Sequence, residues 1–236
     1  MIAKVITMLM LMIVINDCQA QNWQSQRMDM IEEVQADMRA FIGHPLSGAV
    51  EKALRNVERH RFVPVNLARS AYDNRPLPIG SDQTISQPFI VALMTDLLNL
   101  QSTDRVLEVG TGSGYQAAVL AEVCAEVYTV EIIGALASEA TERLQRLGYS
   151  NVYVRHGDGT KGWPVHAPFD GIMVTAAGLK IPRELLDQLK PGGRLVMPVG
   201  GVLDVQQLKV IERTASGFSE REIIPVRFVP ITHDVR

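Results

Sequence analysis

Two stretches of the chain carry residues suited to chemistry. The first is Asp82–Pro88, DQTISQP, where Thr84 and Ser86 stand just ahead of the apolar run FIVALMTDLL. No histidine or cysteine lies near either hydroxyl in the sequence, so a serine nucleophile with a neighbouring base has no local support. Two readings stay open: Ser86 or Gln87 caps the following helix, or the hydroxyl serves a ligand. The second stretch, VLEVGTGSGYQAAVLAEV, reads as a strand, a glycine-rich turn and a helix. Gly110, Gly112 and Gly114 permit a tight turn and a close approach of ligand to backbone, at the strand end where open α/β sheets bind. Glu131 ends the next strand about 20 residues on, where an acidic group accepts hydrogen bonds from ribose hydroxyls.

The pair points to a nucleoside. A dinucleotide fingerprint wants glycine at the sixth place, and Tyr115 stands there, which argues against close helix–strand packing of the dehydrogenase kind. GxGxG followed by a helix suits S-adenosylmethionine better, because its amino-acid end carries no pyrophosphate. Asp158, in HGDG (His156–Gly159) after the third strand, is placed to bond an adenine amino group, although HGDG alone is a weak turn signal.

Other chemistry is excluded. The five histidines show no paired spacing with carboxylates or cysteines, so no metal site is expected. His156 and His166 are assigned to packing or the surface, and Asp170 to bracing the sheet. A net charge of −3 supplies no field to hold nucleic acid. Hydrophobic residues at 47% and charged residues at 21% are ordinary for a globular protein.

The elements that must position these residues follow from periodicity. A helix is expected over residues 23–43, with Met30, Ile31, Val34, Met38 and Phe41 on one face, and another after Ser47 through Val50, Ala53, Leu54 and Val57. RFVPVNLARSAYDNRPLPIG reads as an ordered connector with short turns. A third helix starts at Pro88, which suits a first helical turn. Beyond Asp104, strands at 105–109, 126–131, 152–156, 169–174 and 194–199 alternate with helices at 115–124, 134–147 and 182–189. The alternation implies a doubly wound, mostly parallel α/β sheet covered on both faces, ending in an antiparallel pair. Residues 21–103 form the N-terminal helical segment and covering loop and 104–236 the cofactor-binding core, as one folding unit. RFVP occurs at Arg61–Pro64 and again at Arg227–Pro230 without surrounding similarity, an echo and not a repeat.

Met1–Ala20 has one early lysine, Lys4, then the apolar run Val5–Ile15 and a short polar stretch ending in Ala20. That is the layout of a secretory signal peptide; an over-extended start with Met28 or Met30 as initiator is the other reading. The run is too short for a comfortable membrane span. Cys18 and Cys124 are the two cysteines, so without the leader no disulfide framework exists, and Cys124 reads as a small buried hydrophobe.

The chain resembles the protein-L-isoaspartate O-methyltransferase family over essentially everything after the leader. The matching text is RFVP, YDN-x-x-LPIG-x-x-QTISQP, VLEVGTGSGYQ, TVE, RHGDG, PFDGIMVTAA, LKPGGRLVMPVG and the terminal VRFVP. LEVGTGSG and LKPGGRLV alone indicate a class I methyltransferase; PLPIG-x-x-QTISQP carries the substrate class. The resemblance implies methyl transfer from S-adenosyl-L-methionine to the free carboxylate of isoaspartyl or D-aspartyl residues in proteins and peptides, followed by spontaneous cyclisation to a succinimide. Such a carboxylate is already ionised at neutral pH and needs holding rather than a base. Ser86 is assigned to hold it, with Thr84 and Ile85 lining the place where cofactor and substrate meet and Val199 and Gly200 gripping the substrate backbone. Cofactor contacts are expected from Thr84, Ile85, Glu108, Gly110, Thr111, Gly112, Ser113, Gly114, Glu131, Asp158 and Gly159. A monomer without stable membrane association is expected, in the cytoplasm where the cofactor is made; the leader reading offers a periplasmic or secreted location instead. The competing functions are a class I methyltransferase with a different acceptor and a non-catalytic cofactor-binding protein.

Overall fold

The computed structural model describes residues 22–201 and 204–232; the leader Met1–Ala20 and Cys18 lie outside them. Helix α1 covers residues 22–37 and runs into a π-turn at Met38–Ile42. Met30, Ile31, Val34 and Met38 are buried as their spacing predicts, but Phe41 is 66% exposed. A π-turn takes an extra residue per turn and carries Phe41 off the stripe, where its ring meets that of Phe89 at 5.9 Å. Helix α2, Gly48–Asn56, buries Val50, Ala53 and Leu54.

The proline-punctuated connector contains two 3-10 turns, Arg59–Phe62 and Val65–Ser70. It then forms a hairpin that the sequence reading lacks. Strand β1, Leu77–Gly80, pairs antiparallel with β2, Gln83–Ile85. Ser81 (φ 51°) and Asp82 (φ 57°) make the two-residue loop, with the left-handed backbone that matches strand twist. Thr84 therefore sits on a strand and not in a loop. Helix α3, Pro88–Leu98, starts at the expected proline and is buried on nearly all sides, as its continuous apolar run requires.

The alternation that follows gives β3 (Arg105–Val109), α4 (Tyr115–Ala121), β4 (Glu126–Glu131), α5 (Gly134–Arg146), β5 (Val152–His156), β6 (Phe169–Val174), α6 (Arg183–Asp187) and β7 (Leu189–Val199). Strands β8 (Gln206–Thr214) and β9 (Gly217–Val226) close the sheet. The sheet order is β5-β4-β3-β6-β7-β8-β9, parallel through β7 and antiparallel for the last two. The expected helix 182–189 stops short and β7 begins early, because Pro191, Gly192 and Gly193 cannot extend a helix at low cost.

Strand alternation divides the sheet between two cores. Val106, Val127, Met173 and Val196 pack with residues of α1 to α5. Leu107, Tyr128, Ile172 and Leu195 pack on the other face with Leu185 of α6 and Trp163. Both faces are covered, but unevenly: the second carries a five-residue helix and two 3-10 turns, Gly159–Lys161 and Pro164–His166. Asp170 does brace the sheet, accepting from the Arg105 amide at 2.9 Å. His166 stacks on Tyr128 at 4.2 Å between centroids. Because β4 and β6 flank β3, the chain reverses direction across the sheet there, and the loops after β3, β4, β5 and β6 gather at one edge, the position for a ligand.

Candidate active site

After β3 the backbone turns through Gly110, Gly112 and Gly114 with φ of 97°, 53° and 85°, values that strain any residue with a Cβ. A Cβ on Gly110 would also stand 2.3 Å from the Thr175 hydroxyl oxygen, which donates to the Gly110 carbonyl at 2.7 Å. Glu131 closes the turn from the next strand. Its two carboxylate oxygens accept the amides of Gly112 at 2.8 Å and Ile133 at 2.9 Å. Each oxygen keeps a further acceptor position, and Glu131 borders a cavity beside the loop.

Two cavities meet beside this loop. The first is bordered by Gly110–Ser113, Glu131, Ile133 and Gly159, with Thr84, Ile85 and Ser86 opposite. The second lies between the end of α1, the start of α3 and the C-terminal segment, bordered by Asp37, Phe41, Gln87, Phe89, Arg227 and Phe228. Thr84, Ser86, Thr175 and Val229 border both. Nine of the residues expected to touch cofactor or substrate are thus brought together: Thr84, Ile85, Ser86, Gly110, Thr111, Gly112, Ser113, Glu131 and Gly159.

The capping question has a structural answer. Gln87 makes no side-chain cap. The amide of Phe89, in the first turn of α3, donates to Asn74 Oδ1 at 3.0 Å, and Asn74 is held in turn by Asp37 at 2.8 Å. A distant asparagine caps the helix, and the Ser86 hydroxyl is left at the junction.

Five expected residues stand elsewhere. Glu108 is fully buried beneath the loop; its Oε2 accepts the Thr129 hydroxyl at 2.5 Å, which contacts that of Thr111 at 2.6 Å. Its Oε1 has no partner among the described residues, and burial pushes its pKa up to about 8. Gly114 serves packing, its α-carbon facing Leu144 of α5. Asp158 turns its carboxylate to the amide and hydroxyl of Thr160 at 3.0 and 2.7 Å, leaving Gly159 at the cavity. Val199 and Gly200 border neither cavity among the described residues; Val199 bridges to Gly178, and the Gly200 amide donates to the Gly178 carbonyl at 3.0 Å. The sequence reading in turn missed Thr175, Val229, Asn74 and Arg59. The first two were legible in part, since VTAA ends a strand beside β3 and the second RFVP echo supplies Val229.

The lining suits a nucleoside bearing a cation. It offers backbone groups, hydroxyls and apolar faces with Asp82 and Glu131, and no described lysine, arginine or histidine borders it, so a pyrophosphate would find no countercharge. S-adenosylmethionine, with its sulfonium, fits that lining. The sequence profile of protein-L-isoaspartate(D-aspartate) O-methyltransferases matches residues 27–236. The chain belongs to this family. It is 57% identical over 211 residues to protein-L-isoaspartate O-methyltransferase 2 of Syntrophobacter fumaroxidans, covering 87% of this chain and 85% of the relative. It is 54% identical over 213 residues to protein-L-isoaspartate O-methyltransferase 1 of Nitrosospira multiformis, covering 90% and 89%. A solved protein-L-isoaspartate O-methyltransferase superposes with a TM-score of 0.77 at 27% identity, over 89% of this chain and 67% of that one. The fold is also that of a putative methyltransferase of the same name from Plasmodium falciparum, solved with S-adenosyl-L-homocysteine (TM-score 0.70, 22% identity, covering 86% and 98%).

Proposed function

We propose that the chain methylates the free carboxylate of isoaspartyl, and D-aspartyl, residues in damaged proteins, using S-adenosyl-L-methionine. The observation that carries the reading is the junction: a cavity lined for a cationic nucleoside opens at Thr84 and Ser86 into a second one bordered by the end of α1, the start of α3 and the C-terminal segment. When bound, the cofactor supplies an electrophilic methyl group on a sulfonium. Glu131 would hold its nucleoside beside the glycine loop, and Thr84 and Ile85 would line the approach to the methyl.

The acceptor is ionised at neutral pH, since a free carboxylate has a pKa near 4. The protein therefore has to orient it and keep water away. Ser86 donates its hydroxyl to the carboxylate, assisted by the Gln87 amide just ahead of α3, where the helix dipole favours an anion. No histidine borders either cavity among the described residues, and the proposed chemistry asks for none.

The second cavity takes the peptide flanking the isoaspartyl residue, against Phe41 and Phe89. The reading includes action as a monomer in the cytoplasm, where the cofactor is made. Among the described residues no helix is long and apolar enough to cross a membrane. The test is mass spectrometry of an isoaspartyl peptide incubated with the protein and cofactor. The expected product is a base-labile methyl ester that decays to a succinimide. A base-stable methyl adduct would favour a class I methyltransferase with a different acceptor.

A further inference from the structure

Arg59 is fully buried, yet no carboxylate lies within ion-pair distance of it among the described residues. Its Nε donates to the Ala71 carbonyl and its Nη2 to the Ser86 carbonyl, both at 2.8 Å. Its guanidinium lies 4.8 Å from the centroid of the Tyr115 ring, and Tyr115 borders the first cavity. Nη1 and the Tyr115 hydroxyl have no partner among the described residues. Burial lowers the Arg59 pKa to about 10, so the side chain stays charged at neutral pH.

Burying a cation without a counter-ion is costly, and an apolar side chain would fill the same space more cheaply. Only structure that uses the charge or the fork offsets that cost. The fork here ties the connector, the residue before the helix and the cofactor-side tyrosine to one rigid planar group.

The consequence for the site follows from peptide geometry. The bond between Ser86 and Gln87 is trans, the one cis bond among the described residues being Ala167–Pro168. In a trans peptide, C=O and the next N–H point in opposite directions. Drawing the Ser86 carbonyl inward to Arg59 therefore turns the Gln87 amide outward. That amide has no acceptor among the described residues, Pro88 has no N–H to offer, and the Phe89 amide is taken by Asn74. Gln87 borders the second cavity.

We infer that Arg59 is a positioning residue for the carboxylate acceptor: by holding the Ser86 carbonyl it presents the Gln87 N–H and the Ser86 hydroxyl as a pair of donors at the junction. The inference rests on the proposed function and names the device that orients its acceptor.

The test compares full-length wild type with Arg59→Met and Arg59→Lys. Methionine removes the fork and the charge, so kcat/KM for an isoaspartyl peptide falls roughly 10- to 100-fold, the range expected for losing hydrogen bonds to a charged group. Affinity for S-adenosylhomocysteine by calorimetry stays the same, and melting stays cooperative. Lysine, which keeps the charge and one carbonyl contact, recovers part of the loss. A folded Arg59→Met protein with wild-type kcat/KM overturns the inference, as does a parallel loss of cofactor affinity, which would mark a general structural role. The wild type alone decides the matter if the variants do not fold. Amide-resolved NMR of the S-adenosylhomocysteine-loaded protein, titrated with isoaspartyl peptide, should show the Gln87 amide moving downfield. Peptide binding that leaves Gln87 unmoved overturns the clamp while the function stands; a peptide that does not bind refutes the function and the clamp with it.

Discussion

The amide of Phe89 donates to the side-chain carbonyl of Asn74 at 3.0 Å, so the helix after Ser86 is capped from 15 residues upstream. A serine directly before a helix is usually its cap; here that duty is filled, and the hydroxyl is left free for the junction. Replacing Asn74 with alanine removes the cap and leaves Asp37 without its amide partner. The expected cost is about 1 kcal/mol of stability, read as a lower denaturant midpoint at unchanged slope.

Ser86→Ala separates the two roles. The protein should melt as the wild type does, because Ser86 contributes no cap. Turnover of an isoaspartyl peptide should fall roughly 10- to 100-fold, the cost of a lost hydrogen bond to a charged acceptor, with cofactor affinity unchanged by calorimetry. A fall in melting temperature with full activity would return Ser86 to a structural role.

Gly110→Ala tests the cofactor loop. The φ of 97° and the Thr175 oxygen 2.3 Å from the new Cβ force the turn or the Thr175 clamp to move. Backbone strain of this kind costs about 1–3 kcal/mol, and calorimetry should find cofactor binding weakened roughly tenfold or more. Unaltered affinity would place the nucleoside elsewhere.

Glu108 gives the fold a pH dependence. Its pKa is raised to about 8 by burial, so between the ordinary carboxylate range and pH 8 the folded state keeps a proton that the unfolded chain has released. Stability contributed by this group is present at low pH and declines as pH rises through that window, by up to about 1.4 kcal/mol per pH unit. Glu108→Gln keeps an acceptor for the Thr129 hydroxyl and removes the titration. The variant's stability, measured by denaturant unfolding between pH 5 and about 8, should fall less steeply than that of the wild type. Identical slopes would mean that Glu108 is ionised in the fold.

The glycine turn, the place of Glu131 at a strand end and the alternation of parallel strands with helices were legible because local spacing specifies them. Glu108 was misplaced because its position at the strand end says nothing about which face it takes. Alternation turns it away from Leu107 and Val109, under the loop instead of into the cavity. The hairpin Leu77–Ile85 escaped detection since its strands are only four and three residues long, the first carries Pro78, and its loop, Ser81-Asp82, lacks the glycine that usually signals left-handed backbone. Phe41 followed a period of 3.6 that the π-turn breaks. Arg59 and Asn74 act through partners 12 to 37 residues away, a relationship no local pattern encodes.

In the proposed function the junction at Ser86 selects a free isoaspartyl carboxylate. That selection is tested most directly by transfer of labelled methyl from S-adenosylmethionine to an isoaspartyl peptide and to its aspartyl twin, side by side. Label is expected in the isoaspartyl peptide and none above background in the twin; equal labelling of both, or label in neither, would overturn that selectivity.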